Sequence, residues 1–281
     1  MREQSLRVSD PAGPVEIAWL EWGDPKARPV VCAHGLTRNA HDFDALAAAL
    51  ADAGAFVLAV DVPGRGRSGR LSDPTDYAVP VYARLLNAWL AALGLGRRVA
   101  WVGTSMGGLI GMALAAGEAA PIDRLVLNDI GPFIPKAALE LIAAYAGTDP
   151  RFASLDDLEA HLRLIHAPFG PLSDDQWRHL ATHSGVEGED GLWRLRYDPA
   201  IRAPMRAGEI ADVDLWPLYD AISCPTLVLR GAESTLLLPE TAQAMTERGP
   251  KAELATIEGT GHAPALMAED QIGAVRTFLG L

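Results

Sequence analysis

A serine stands between two glycines at a predicted strand-to-helix junction. Residues 103–107 read Gly-Thr-Ser-Met-Gly, after the apolar run 99–102 and before a helical pattern of small residues. A serine on such a sharp turn needs neighbours without bulky side chains, and Gly103 and Gly107 meet that need. The turn exposes the hydroxyl above the sheet, near the free N–H groups at the start of the helix, which favour negative charge. Ser105 is therefore the candidate nucleophile.

Two histidines also follow predicted apolar strands. His262 comes after the run 252–257, and His34 comes directly after 29–33. A serine hydroxyl is a weak nucleophile near neutral pH and needs a base, which is usually an imidazole within hydrogen-bond distance. We assign that role to His262 and expect His34 to hold its own turn through backbone hydrogen bonds. The alternative to a catalytic site is that the turn around Ser105 only connects two buried elements. This alternative is disfavoured because Ser105, His34 and His262 each follow a predicted strand.

Apolar segments alternate with helical patterns over most of the chain, and this alternation must position the reactive residues. The predicted strands are 15–22, 29–33, 56–60, 99–102, 124–128, 225–230 and 252–257, and helices are predicted at about 39–53, 77–93, 239–248 and 271–279. Such alternation predicts an α/β fold with a doubly wound, mostly parallel sheet and an antiparallel start. Active sites of these sheets lie at the carboxyl ends of the strands.

The alternation stops between residues 133 and 215, where the patterns indicate helices only, at 136–145, 154–165, 173–183 and 212–219. We predict a core formed by 1–132 and 216–281, with 133–215 inserted as a helical cap over the active site. Four aromatic residues of the insert are candidates either to line a substrate pocket or to dock the insert on the core: Tyr145, Phe169, Trp177 and Trp193.

His179 and His183 lie four residues apart on a predicted helix, which is the spacing of a metal-binding pair. No glutamate completes a His-Glu-x-x-His motif, and the sequence offers no evident third ligand. A solvated face of the cap is the favoured interpretation, and we predict neither a metal nor a cofactor.

Four motifs, in their order along the chain, resemble the α/β-hydrolase superfamily: HGLTR at 34–38, DVPGRGRS at 61–68, GTSMGG at 103–108 and GTGHAP at 259–264. The resemblance covers the chain apart from 132 to about 215. It implies the α/β-hydrolase fold, with an eight-stranded sheet and a cap. It further implies an oxyanion hole formed by the backbone N–H groups of Leu36 and Met106, and hydrolysis of small or medium carboxylic esters through an acyl-enzyme on Ser105. The two arginines of the second motif are expected to be structural.

Related chemistries of the superfamily can be weighed from the same residues. Dehalogenases and epoxide hydrolases of this fold use an aspartate nucleophile, where this chain has Ser105. Carbon–carbon bond hydrolases commonly carry a tryptophan after the histidine, whereas Ala263 follows His262 here. Lactonase, thioesterase and amidase activities stay open, as does a small-molecule receptor built on this fold. The sequence specifies neither the natural acyl chain and alcohol nor the oligomeric state.

The acid that orients His262 departs from the commonest pattern of the superfamily. That acid usually lies in the loop that here reads Gly-Ala-Glu-Ser-Thr at 231–235, and related sequences often have an aspartate where Thr235 stands. A threonine cannot supply the negative charge that stabilises an imidazolium. Two carboxylates are candidates instead, Asp129 after the strand 124–128 and Glu233 in the loop itself. We predict Asp129, with Glu233 as the alternative.

Composition limits the partners of the chain. Its 281 residues carry a formal net charge of −12, with a pI near 5.0, which argues against nucleic acid or an anionic membrane as a partner and favours an enzyme that acts on neutral or small substrates. The resemblance implies that this partner is a small-molecule ester. Cys32 and Cys224 have no metal-binding or disulfide spacing, and no segment resembles a signal peptide or a membrane span of about 20 apolar residues. We therefore expect a cytoplasmic protein.

Overall fold

The computed structural model describes residues 1–11, 13–95, 98–117, 120–206 and 208–281. The strands are β1 (Arg2–Val8), β2 (Val15–Trp22), β3 (Arg28–Ala33), β4 (Ala55–Val60), β5 (Val99–Thr104), β6 (Ile122–Asn128), β7 (Phe133–Ile134), β8 (Arg151–Phe152), β9 (Gly185–Glu187), β10 (Trp193–Leu195), β11 (Val213–Asp214), β12 (Thr226–Gly231) and β13 (Glu253–Ile257). The helices are α1 (Asp44–Asp52), α2 (Val79–Ala92), α3 (Met106–Ala115), α4 (Lys136–Tyr145), α5 (Leu155–Ile165), α6 (Asp174–Ser184), α7 (Ala203–Arg206), α8 (Trp216–Asp220), α9 (Pro239–Met245) and α10 (Glu269–Leu279).

The main sheet contains eight of the described strands, in the order β1-β2-β4-β3-β5-β6-β12-β13. The pairs β1–β2 and β2–β4 are antiparallel, and the strands from β4 to β13 run parallel. This confirms the predicted eight-stranded, mostly parallel sheet. The edge strand β1 was not predicted, because its first four residues are exposed and polar and so carry no apolar alternation.

Both faces of the sheet are buried, which explains why its central strands are apolar throughout. On β5, Val99 and Trp101 pack on one side in the cluster that includes residues of α2 and α3, whereas Ala100 and Val102 pack on the other side with residues of α1 and α10. Successive side chains of a strand point to opposite faces, so one short segment contributes to two apolar layers.

The segment 133–215, of which residue 207 lies outside the described residues, begins and ends in a two-stranded ribbon formed by β7 and β11. It contains α4 to α7 and a three-stranded antiparallel sheet in the order β8-β10-β9. The prediction of helices only was therefore wrong. These strands have two or three residues each, too few for an alternating pattern to stand out in sequence. The helix predicted at 212–219 begins at Trp216, because Val213–Asp214 form β11.

No helix within the described ranges is both long enough and apolar enough to cross a membrane.

Candidate active site

Ser105 connects the end of β5 to the start of α3, with backbone angles φ = 52° and ψ = −116°. Positive φ is uncommon in residues other than glycine and marks a strained turn. A Cβ atom on Gly103 would lie 2.3 Å from the carbonyl oxygen of Gly107, and one on Gly107 would lie 1.9 Å from the carbonyl oxygen of Ala33. Neither position tolerates a side chain, so the two glycines permit the turn that presents the serine.

A continuous chain of hydrogen bonds joins the three side chains that the sequence singled out. His262, in the loop between β13 and α10, has its Nε2 atom 2.9 Å from Ser105 Oγ. Its Nδ1 atom lies 2.8 Å from Oδ2 of Asp129, which follows β6. A carboxylate only accepts hydrogen bonds, so Nδ1 carries the proton and Nε2 is free to accept the serine proton.

The carboxylate of Asp129 has 0% side-chain exposure and is held by several donors. The backbone N–H of Gly231 donates to Oδ1 at 2.8 Å, and the hydroxyl of Ser234 donates to Oδ2. A buried charge needs such partners to offset its lost hydration. Ser234 is a site residue that sequence reasoning missed, because nothing in the loop 231–235 indicates that a hydroxyl there reaches Asp129.

Glu233 and Thr235, the other residues weighed for the acid position, are both exposed. The carboxylate of Glu233 makes no hydrogen bond or ion pair with the described residues, and its backbone N–H donates to the carbonyl of Thr260 at 2.8 Å. The loop thus supplies Ser234 to the site and turns Glu233 towards solvent. Asp129, rather than Glu233, lies beside His262.

Leu36 and Met106, the two predicted oxyanion donors, both contact the buried side chain of Arg65. The Nε atom of Arg65 donates to the carbonyl of Leu36 at 2.8 Å, and its Nη2 atom lies 3.6 Å from the sulfur of Met106. A third nitrogen donates to the hydroxyl of Tyr82 at 2.7 Å. Arg65 is 1% exposed, so its role is structural, as predicted, and it holds the two donor segments together.

His34 is also structural, as predicted. Its Nδ1 atom donates to the carbonyl of Gly35 at 2.7 Å, and its Nε2 atom accepts from the N–H of Val62 at 2.9 Å. Burial lowers the pKa of His34 to about 4, so the ring is neutral near pH 7. The ring thereby joins the loop that carries Leu36 to the loop that carries Arg65.

A cavity of ≈ 70 Å³ lies beside Ser105 and His262, with walls from both the core and the segment 133–215. The second wall consists of Ile142, Tyr145, Ile165, His166, Phe169 and Leu180. Among the aromatic candidates, Tyr145 and Phe169 thus line the cavity. Trp177 is buried within the segment, and Trp193 packs against its small apolar cluster around Leu158.

Two polar side chains of this wall are unpaired towards the cavity. The ring of His166 stacks on Phe169 at 4.5 Å, and burial keeps its pKa well below 6.5, so it is neutral. Neither the ring nitrogens of His166 nor the hydroxyl of Tyr145 form a hydrogen bond with the described residues. Both side chains line the cavity, so their polar atoms are accessible to a bound molecule. Arg38, also at the cavity, is instead held by Asp42 at 2.6 and 2.9 Å.

The segment 133–215 is tied directly to the loop of His262. The backbone N–H of Gly261 donates to the carbonyl of Pro168 at 2.7 Å, and Pro168 lies in the short 3₁₀ helix Ala167–Phe169 that follows His166. The residue before His262 is thereby fixed by the same turn that supplies two cavity-lining side chains.

A family model described as "alpha/beta hydrolase fold" matches residues 28–267. The chain belongs to this family. A crystal structure of an alpha/beta hydrolase from Novosphingobium aromaticivorans superposes on this hydrolase with a TM-score of 0.86 and 37% identity, over 99% of this chain and 98% of that one. These matches confirm the predicted family and fold.

Named relatives of this hydrolase include two enzymes of known class. A 3-hydroxybutyrate-oligomer hydrolase of Cupriavidus necator is 44% identical over 97% of this chain and 96% of its own length. An esterase of Mycobacterium tuberculosis is 30% identical over 88% of this chain and 80% of its own length.

Proposed function

We propose that this hydrolase cleaves carboxylic esters through an acyl-enzyme formed on Ser105. The observation that carries the proposal is the unbroken chain from Ser105 Oγ through His262 to the buried Asp129, with contacts of 2.9 and 2.8 Å. The enzyme class, carboxylic ester hydrolase, is confirmed by the relatives named above. The residue roles that follow are our assignment.

In the proposed mechanism, His262 takes the proton of Ser105 as the oxygen attacks the ester carbonyl. Asp129 stabilises the imidazolium that forms. The N–H groups of Leu36 and Met106 stabilise the tetrahedral oxyanion, and His262 then donates its proton to the departing alcohol. Water repeats the sequence on the acyl-enzyme and releases the acid.

For the substrate we infer short hydroxyacyl esters, with linear oligomers of 3-hydroxybutyrate as the leading candidates. The cavity of ≈ 70 Å³ is small beside the roughly 300–1,000 Å³ of common ligand pockets, which favours a short acyl group. A 3-hydroxyacyl group carries a hydroxyl two carbons from the carbonyl, and Tyr145 and His166 offer unpaired polar atoms near Ser105. The relative of C. necator, whose name specifies such oligomers, supports the same choice.

The test is turnover of dimers and trimers of 3-hydroxybutyrate, with p-nitrophenyl butyrate as a generic ester and a matching thioester, lactone and amide for comparison. We expect cleavage of the oligomers by the wild-type protein, a transient acyl adduct on the Ser105 peptide, and no turnover by Ser105→Ala. Cleavage of the generic ester alone would support the esterase proposal and overturn the assignment of 3-hydroxybutyrate oligomers as the substrate. Slow, single-turnover cleavage of every ester would instead support a receptor and overturn the enzyme proposal.

We also propose that the protein works in the cytoplasm on a small-molecule substrate. Both cysteines are free thiols, Cys32 being buried and Cys224 partly exposed, and this suits a reducing compartment. Fractionation of the native source, with detection of the chain by mass spectrometry, tests the location.

A further inference from the structure

Three histidines and one aspartate meet where the core touches the cap segment, away from the Ser105–His262–Asp129 chain. His41 lies in the short 3₁₀ helix Ala40–Phe43, and Asp44 is the first residue of α1. His179 and His183 lie one turn apart on α6. The core and the cap segment thus each contribute a pair with helical spacing, and the two pairs face each other.

The side chains are close enough to share one ion. The Nδ1 atom of His41 lies 2.9 Å from Oδ2 of Asp44, and the Nε2 atom of His179 lies 3.4 Å from the same oxygen. The rings of His41 and His183 stack with their centroids 3.7 Å apart. One ligand atom from each of His41, Asp44 and His183 lies within 4.8 Å of the others.

The cluster is not satisfied by its own hydrogen bonds. The Oδ1 atom of Asp44 is buried and has no partner, and the ring of His183 makes no hydrogen bond with the described residues. A buried acceptor without a partner is destabilising, so such groups usually mark a ligand or an ordered water. In a purely structural contact, both oxygens of Asp44 would be expected to accept hydrogen bonds, but only Oδ2 lies near a donor. The stacking of His41 on His183 does not supply the missing bond.

We propose that His41, Asp44 and His183 bind a divalent transition-metal ion of the Zn²⁺ type. Two imidazole nitrogens and one carboxylate oxygen are typical ligands of Zn²⁺, whereas Mg²⁺ and Ca²⁺ prefer an all-oxygen shell. His179 lies beside these three ligands, with its Nε2 atom 3.4 Å from Oδ2 of Asp44, but it is not one of the set whose ligand atoms lie within 4.8 Å of one another. The side chains of His41, Asp44 and His179 are 16%, 22% and 31% exposed, so an ion can reach them from solvent.

The site would link the cap segment to the core. Asp42 and Phe43, between the two core ligands, line the cavity beside Ser105, and Leu180 on α6 lines it from the other side. Ser184, next to His183, accepts a hydrogen bond from the cavity residue Arg38 at 2.9 Å. A bound ion would therefore fix the cap wall relative to the core wall. It takes no part in the ester chemistry, so the inference does not depend on the proposed function.

The experiment is calorimetric titration of ZnCl₂ into the metal-free full chain, with Ser105 blocked by a phosphonate so that the His262 region is occupied. We expect one ion per chain and a rise in Tm of roughly 5 °C at a hundredfold excess over Kd. Asp44→Asn and His183→Gln should each weaken binding at least about tenfold, because loss of a ligand should cost no less than loss of a group that orients one. Asp52→Asn, at the other end of α1, and His161→Ala, on α5, are matched controls and should bind like the wild type.

A second measurement keeps the test independent of whether the variants fold. In the wild-type chain, ZnCl₂ should protect His41 and His183 from diethyl pyrocarbonate while His161 stays reactive, as read by peptide mass spectrometry. The proposal is overturned if no ion binds, or if the folded Asp44 and His183 variants bind like their controls. Protection of His161 to the same extent would also overturn it, because the ion would then lie elsewhere.

Discussion

The imidazole of His262 bonds to Ser105 through one nitrogen and to a buried carboxylate through the other. The distances of 2.9 and 2.8 Å leave the ring one productive orientation and one tautomer. Asp129 in turn keeps its position because Gly231 and Ser234 donate to it. Each group therefore orients the next one. Replacement of any of the three side chains should impair the function of all three, so that the losses in kcat of single variants are not additive.

The first prediction concerns the nucleophile. Ser105→Ala should lower kcat for ester hydrolysis on the order of 10⁵–10⁶-fold, because the covalent step is lost. Its Tm should stay within a few degrees of the wild-type value, since the hydroxyl of this partly buried residue bonds to His262 and the glycines beside it are unchanged. Steady-state kinetics and thermal unfolding measure the two quantities. Ordinary turnover by the folded variant would remove Ser105 from the mechanism.

The second prediction separates the two candidate acids. Asp129→Asn should lower kcat about 10⁴-fold, the cost of the corresponding change in the serine-protease template, because the amide cannot stabilise the imidazolium and permits the wrong tautomer. Glu233→Gln, at an exposed position, is the matched control and should change kcat less than about twofold. If the two variants rank in the opposite order, Glu233 orients His262 in the working enzyme.

At the residue scale, the sequence identified what a local motif encodes. Ser105 and His262 could be predicted because each stands in a short motif after an apolar strand. Asp129 could only be narrowed to two choices, since a sequence does not tell which of two loops reaches the histidine. His41 and Asp44, two of the three ligands of the proposed metal site, were missed for the same reason: they are far from His183 in the chain and lie beside it only in the folded molecule.

At the scale of elements, two turns position the residues of the candidate site: the turn into α3 and the turn at 166–170. The first holds Ser105 in a conformation that only small neighbours permit. The second carries His166 and Phe169 into the cavity wall and, through Pro168, binds the backbone next to His262. Changes in these two turns should therefore affect different properties, stability in the first case and substrate preference in the second.

The third prediction tests the turn before α3. Gly107→Ala should destabilise the fold by about 3 kcal/mol or more, because its Cβ would lie 1.9 Å from the carbonyl oxygen of Ala33, and the backbone there cannot yield cheaply. Gly273→Ala, on α10 with nothing within 4 Å of the added Cβ, is the control and should be neutral or stabilising by up to about 1 kcal/mol. Urea unfolding measures both. Equal stabilities would mean that the turn can relax more than its contacts suggest.

The fourth prediction tests the wall supplied by the cap segment. His166→Ala should lower kcat/KM for a 3-hydroxybutyryl ester about two- to tenfold relative to the plain butyryl ester, because one hydrogen bond to the substrate hydroxyl is worth about 0.5–1.5 kcal/mol. Leu164→Ala, an exposed position on the neighbouring α5, should leave the ratio unchanged. An equal loss on both esters would indicate that His166 shapes the cavity without recognising the hydroxyl.

At the scale of the whole molecule, the sheet was predictable from the sequence, whereas the secondary structure of the segment 133–215 was predictable only in part. Apolar strands buried on both faces leave a strong local signal, and their alternation with helices specified the eight-stranded sheet apart from its polar edge strand. The segment 133–215 instead contains strands of two or three residues, which are too short for an alternating apolar pattern to be visible in the sequence. Such strand pairs form only in the folded molecule. The dependence of stability on pH is also a property of the folded molecule, because it follows from the burial of titratable groups.

The last prediction is that acid sensitivity of the folded state comes in part from His34. In the unfolded chain this ring has an ordinary pKa of about 6.5, whereas burial lowers the pKa in the folded protein to about 4. Between these values the unfolded chain binds a proton that the folded chain excludes. The free energy of unfolding should therefore be independent of this group above pH 6.5 and fall by up to about 1.4 kcal/mol per pH unit as the pH drops towards 4.

His34→Gln removes the titrating group and keeps one donor and one acceptor for Gly35 and Val62. The variant should be less stable than the wild type near pH 7, because an amide fits the site less well. Between pH 6.5 and 4, however, the free energy of unfolding of the variant should fall less steeply with pH than that of the wild type. The difference in slope should be up to about 1.4 kcal/mol per pH unit, which corresponds to one bound proton. Urea unfolding at several pH values gives both slopes, and the other titrating groups change equally in the two proteins, so the difference isolates His34. Parallel slopes would show that the folded protein accepts the proton at this position, against the burial and the two hydrogen bonds of the neutral ring.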